Sequence, residues 1–161
     1  MNLTTAYLCD TYSGSENFYI AEPMFRSFGG KQMFSGAVTT LRSFEDNAMA
    51  KHILSENGNG RVLVFDGGGS HRCALIGAAH AKTAFDNGWQ GLIVYGCVRE
   101  TASLSQIPIG ILALHAHPLL CHGKNTGDRD VMVTIAGVNF RKDHYVYADS
   151  DGIIVSETLL S

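Results

Sequence analysis

The chain has 161 residues, 45% apolar and 17% charged, which is enough to bury the core of one folded domain and unlike a disordered chain. Its 12 basic residues stand against 15 acidic ones, giving a formal net charge of −3, and no basic stripe marks a nucleic-acid reader. No apolar run approaches the roughly 20 residues needed to span a bilayer, so neither nucleic acid nor membrane is an expected direct partner.

The four cysteines, Cys9, Cys73, Cys97 and Cys121, lie far apart with no CxxC pair, and the N-terminus carries no secretory signal. This pattern reads as a cytoplasmic protein of a reducing compartment, with Cys73 and Cys97 as free thiols inside apolar segments. No repeat, charge block or low-complexity linker divides the chain, so one domain is expected over residues 1–161.

The elements follow in order. Thr4 to Asp10 predicts a short helix with threonine near its cap. A glycine-rich stretch from Phe28 to Gly36 leads into Ala37–Leu41, which alternates like a strand. Glu45 to Asn57 has helical spacing and is stopped by Asn57-Gly58-Asn59-Gly60. Arg61 to Phe65 reads as a buried strand, and alanine-rich Cys73 to Phe85 as a helix. Gly91 to Gly96 then forms a second buried strand, which makes a βαβ unit with a parallel pair. Strands are also predicted at Gly110–Leu114, Val131–Ile135 and Gly152–Ser156. The fold class is α/β with substantial sheet.

Between the first βαβ strand and the helix stands Asp66-Gly67-Gly68-Gly69-Ser70, which looks like a nucleotide-binding turn. The glycines are contiguous, whereas a dinucleotide fold needs G-x-G-x-x-G and a phosphate loop needs Gly-Lys-Ser/Thr. The segment also looks like the first motif of methyltransferases that use S-adenosylmethionine. A tight turn accounts for it better, and no nucleotide cofactor is expected.

Several motifs along the chain have a common source. They are Phe28-Gly29-Gly30, Phe44-Glu45-Asp46-Asn47, the glycine turn with Arg72, Ala74-Leu75 and Gly77, Asn87-Gly88-Trp89, Tyr95-Gly96-Cys97-Val98-Arg99, and Tyr147 to Glu157. In order and spacing they resemble the RraA family, the regulators of ribonuclease E activity and their aldolase relatives, over roughly residues 6 to 157. The resemblance implies a swivelling β/β/α domain assembled as a ring-shaped homotrimer. It also implies one of two activities. The enzymatic branch cleaves 4-hydroxy-4-methyl-2-oxoglutarate and decarboxylates oxaloacetate with a divalent metal. The regulatory branch binds ribonuclease E and DEAD-box RNA helicases and slows RNA decay.

Both lyase reactions leave the enolate of pyruvate, so they need a Lewis acid at the developing oxyanion and an anchor for a carboxylate. By resemblance, Gly77 matches the motif glycine, and Ala78, Ala79 and His80 complete a cradle of backbone amides for substrate. Arg99 matches the carboxylate clamp, a role suited to a planar guanidinium fork. Glu100 falls at the metal-ligand position, for Mg²⁺ or Mn²⁺. Two residues depart from the enzymatic branch: Ala78 stands where it has aspartate, and Glu100 where it has the shorter acid. On those departures the regulator is the first reading and the metal-dependent lyase acting on small 2-oxo acids the alternative.

Other clusters have structural readings beside them. Arg99-Glu100 can be an ordinary ion pair, and Arg72 can pair with Asp66 or line a subunit interface. His115, His117, Cys121 and His122 have ligand types that suit zinc, although no carboxylate or CxxC stands beside them. Asp149-Ser150-Asp151-Gly152 reads as a turn before the last strand rather than a calcium loop.

Overall fold

The computed structural model describes residues 3–161. In chain order the elements are α1 (Thr5–Tyr12), β1 (Phe18–Ile20), β2 (Arg26–Ser27), β3 (Phe34–Arg42), α2 (Ala48–Leu54), β4 (Val62–Asp66), β5 (Ala74–Ile76) and α3 (Ala78–Asp86). There follow β6 (Gly91–Val98), α4 (Thr101–Leu104), β7 (Gly110–Ala116), β8 (Asp128–Arg129), β9 (Val133–Ile135), β10 (Val138–Phe140), β11 (Tyr145–Asp149) and β12 (Gly152–Ser156). The fold is mixed α/β. Its large sheet runs β1-β12-β11-β3-β4-β6-β7-β2, and β9 and β10 form a separate hairpin.

The centre of the sheet, β3-β4-β6-β7, is parallel, and antiparallel strands flank it on both sides. Parallel strands covered on both faces read as continuous apolar runs, and β4 shows why. Leu63 and Phe65 enter the core that packs α2 and α3, while Val62 and Val64 enter the core on the opposite face, beneath the β9–β10 hairpin. In β6, Leu92 and Val94 share the first face and Ile93 the second. A smaller cluster fixes α1 through Leu8 against Tyr147, Ile154 and Leu160. Thr4 caps this helix by accepting from the Tyr7 amide at 3.0 Å, as the sequence leads one to expect.

Two predicted helices are corrected. The first begins at Ala48 rather than Glu45, because Glu45 has a left-handed backbone and the Asp46 carboxylate takes the Ala48 amide at 2.9 Å. The second, expected from Cys73 to Phe85, divides into β5 and α3. Strand β4 ends opposite Tyr95, and after the glycine turn β5 pairs with β6 further along, with Ala74 opposite Cys97 and Ile76 opposite Val98. The turn is therefore an excursion that lets the chain rejoin β6 and only then begin the helix. Gly68 and Gly69 both have positive φ, which a side chain would strain. Their amides face inward: Gly67 and Gly69 donate to the Tyr95 carbonyl and Gly68 to the Asp66 carboxylate.

Rejoining β6 also corrects the cysteine reading. A bridge between Ala74 and Leu120 brings the neighbouring cysteines together, and Cys73 and Cys121 form a disulfide. Cys97 is the buried free thiol expected of it, and burial pushes its pKa up. No described helix is long and apolar enough to cross a membrane.

Candidate functional site

The pairing of β5 with β6 sets two strand ends side by side. Gly77, which caps α3, follows one of them, and Arg99-Glu100 follows the other; the Arg99 amide donates to the Ile76 carbonyl at 2.9 Å. Arg99 and Glu100 thus face the N-terminus of α3, the end of a helix that attracts anions. Of the residues that the sequence singled out, Gly77, Ala79, His80, Arg99 and Glu100 line one cavity of about 270 Å³, and Ala78 does not. Lys51 of α2 and Leu120 also line it, and neither carried a sequence signal.

The Arg99 side chain is 35% exposed, yet its Nε is buried, and it is the one buried side-chain nitrogen or oxygen among the described residues without a hydrogen-bond partner. Its Nη1 donates weakly to the Pro118 carbonyl at 3.4 Å. A buried unpaired donor costs about 1–3 kcal/mol, more when charged, so an acceptor supplied from outside would relieve that cost. The nearest acid is Glu100, whose Oε1 stands 3.7 Å from Nε. That oxygen instead accepts the Ala78 amide at 3.1 Å. Glu100 reaches it from a left-handed backbone, φ 60° and ψ 46°, which is uncommon for a residue with a side chain.

Of the four amides expected in the cradle, two are already engaged. Ala78 donates to Glu100, and Gly77 donates to His80 Nδ1 at 3.0 Å. The latter bond assigns the ring proton of neutral His80 to Nε2, where the Asn47 side-chain amide stands 3.5 Å away. Burial, then the Lys51 and Arg99 cations, hold the His80 imidazole below its ordinary range against the pull of Glu100. Gly77 cannot carry a side chain here, since a Cβ would lie 2.6 Å from Glu100 Oε1 and 3.4 Å from Arg99 Cγ.

The remaining candidates are placed elsewhere. Arg72 pairs with Glu45 at 2.6 Å and lies over the Phe44 ring, not with Asp66. The Arg72 guanidinium, then the Ser70 hydroxyl, hold the Glu45 carboxyl below the usual range. His115 packs edge-on against His71, and His117 Nδ1 accepts the Leu119 amide. Cys121 is spent in the disulfide, and the described residues bring no three His, Cys, Asp or Glu side chains together as a metal cluster. Asp149 takes the Thr5 amide and hydroxyl and the Asp151 amide, which closes the β11–β12 turn.

Fold and geometry define the class: a mixed α/β protein with a cavity at the ends of its parallel strands, where Arg99 and Glu100 face the start of α3. Comparison with known proteins narrows it. The chain belongs to the RraA-like family, whose Aldolase/RraA model matches residues 5–155. It is 56% identical over 160 residues to a protein of Methylococcus capsulatus, covering 99% of each chain, that bears the provisional name 4-hydroxy-4-methyl-2-oxoglutarate aldolase. A relative from Alkalilimnicola ehrlichii with the same provisional name is 48% identical, over 99% of this chain and 98% of its own. Among solved structures, the RNA-processing inhibitor RraA from Thermus thermophilis superposes with a TM-score of 0.94 at 40% identity, covering 100% of this chain and 96% of that one. A Geobacillus kaustophilus protein solved as an S-adenosylmethionine:2-dimethylmenaquinone methyltransferase superposes at 0.95 with 39% identity, over 98% of this chain and 97% of that one.

Proposed function

We propose that the chain is a divalent-metal-dependent carbon–carbon lyase that releases pyruvate from small 2-oxo acids, namely 4-hydroxy-4-methyl-2-oxoglutarate and oxaloacetate. The observation that carries this is Arg99, which lines a cavity of about 270 Å³ and whose buried Nε has no hydrogen bond, only the Glu100 carboxylate at 3.7 Å. The provisional aldolase names of relatives at 56% and 48% identity support the same order of readings, which reverses the order drawn from Ala78 and Glu100 alone.

In this reading Arg99 binds a substrate carboxylate through Nε, and the free Ala79 and His80 amides add to the anion seat. Lys51 contributes positive charge from the facing helix, and Leu54 and Leu120 supply apolar wall. Neutral His80 presents its Nε2 proton as a donor. Glu100 would hold Mg²⁺ or Mn²⁺: one hard carboxylate fits an ion whose other positions go to water and substrate oxygens. When bound, the ion supplies Lewis acidity where negative charge collects as the carbon–carbon bond breaks. Assembly as a homotrimer, the family expectation, completes the proposal.

A second reading keeps one specific support. The Thermus RNA-processing inhibitor shares the whole fold, and Ala78 offers no carboxylate for proton transfer, so a regulator that binds ribonuclease E and RNA helicases also fits. Pyruvate release from oxaloacetate, with Mg²⁺ or Mn²⁺ and with chelator, separates the two. Metal-dependent turnover above the metal-only blank is expected. Turnover equal to that blank, with retention of ribonuclease or helicase on immobilised protein, would favour the regulator.

A further inference from the structure

The Glu100 carboxylate occupies the place that the pocket offers to a ligand. Its Oε1 accepts from the first amide of α3 and lies 3.7 Å from the unpaired Arg99 Nε, between the two groups that would receive an incoming carboxylate. One hydrogen bond from Ala78 and the 3.7 Å ion pair with Arg99 hold it there, and its backbone lies in the left-handed region, where a residue with a side chain is strained. The Gly77 Cα leaves room for it, since a Cβ would sit 2.6 Å from that oxygen. Glu100 Oε2 has no hydrogen bond among the described contacts.

We propose that Glu100 is a tethered competitor for the anion seat, one that a substrate carboxylate must displace and that a divalent cation draws away. The inference rests on the lyase reading of this pocket and adds an order to it: cation first, 2-oxo acid second. A carboxylate on the same chain competes at high effective concentration, so the metal-free protein binds anions weakly even though it carries Arg99 and the helix end. A cation that takes the Glu100 oxygens frees the Ala78 amide and leaves Arg99 Nε as the partner of the incoming acid. No covalent step is involved; the device is an exchange of one carboxylate for another.

Calorimetric titration of pyruvate into the full-length protein tests this without turnover. Four proteins are compared with and without Mg²⁺: wild type, Glu100→Ala, Glu100→Gln, and the Arg99→Ala, Glu100→Ala double variant. Thermal melts check that each folds, and the glutamine variant retains the side-chain shape if alanine does not fold. Without metal, Glu100→Ala should bind pyruvate about tenfold more tightly than wild type, the weight of one hydrogen bond to a charged group. Mg²⁺ should tighten the wild type and leave Glu100→Ala unchanged, and the double variant should lose the gain. Equal metal-free affinity in wild type and both Glu100 variants, with binding still lost in the double variant, would overturn the competitor while leaving the anion pocket intact. Affinity that ignores Arg99 as well would remove the pocket, and with it both the competitor and the lyase reading.

Discussion

Arg99 and His80 show how much of the site depends on single atoms. Replacing Arg99 by lysine keeps the charge but loses the planar fork, so a carboxylate gains one point contact instead of an oriented pair. Arg99→Lys should therefore lower kcat/KM for oxaloacetate by about 100-fold, the scale of a misplaced substrate, and steady-state kinetics read this directly. A variant as active as wild type would remove orientation from the role of Arg99. His80 gives a pH signature. Its folded-state pKa is depressed by burial and by Lys51 and Arg99, so an unfolded chain takes up the proton near pH 6.5, where the folded chain does not. Stability from this group is thus lost as the pH falls below about 6.5 and levels off once the folded ring protonates. The excess melting temperature of wild type over His80→Gln should shrink between about pH 7.5 and 5.5, and a constant difference would contradict it. Gly77, Arg99 and Glu100 were legible as positions because a motif fixes their spacing, although Glu100 departs from the acid that the motif has there. The engagement of the Ala78 and Gly77 amides by Glu100 and His80 was not, since it is set by a backbone angle at Glu100 and by a ring orientation.

At the scale of elements, a buried acid ties a loop to the start of a helix. Asp46 is fully buried at the start of α2, where it accepts the Ala48 amide, the Thr126 amide and the Thr126 hydroxyl. Burial alone would raise its pKa, but these hydrogen bonds outweigh it and hold the carboxyl low. Asp46→Ala leaves two amides and a hydroxyl without their acceptor and should cost about 3 kcal/mol, measured as a shifted urea midpoint. A loss below about 0.5 kcal/mol, the range of ordinary surface substitutions, would mean that water replaces the carboxylate. Strands β4, β6, β7 and β12 were readable because they are buried apolar runs bounded by glycine or polar residues. β5 was not. Ala74-Leu75-Ile76 runs into Ala78-Ala79 with only Gly77 between, and an alanine-rich window has the composition of one helix. What makes it a strand is the free edge of β6 beyond Tyr95, a tertiary fact. The two-residue strands β2 and β8 carry no periodicity of their own.

Across the whole molecule, distant segments meet where no local pattern announces it. The Cys73–Cys121 disulfide spans 48 residues and ties the entry to β5 to the segment after β7 that walls the pocket. Closing a loop of that length restricts the unfolded chain by about 4 kcal/mol in the chain-entropy account. Reductant should lower the urea midpoint of the wild type and leave Cys121→Ser unaffected, and coincident midpoints for all four conditions would show that the bond adds nothing. Cysteine spacing alone could not pair these residues, because their adjacency arises from the Ala74–Leu120 bridge. Light scattering should give a particle of three 17.4 kDa chains if the family's homotrimer forms. Whether Arg99 Nε takes a substrate carboxylate is tested most directly by the Arg99 Nε–H resonance in isotope-labelled protein. Titration with pyruvate in the presence of Mg²⁺ should move that resonance saturably, in step with calorimetric binding. A resonance that stays fixed while pyruvate binds, or pyruvate release that proceeds unchanged in Arg99→Ala, would contradict the account.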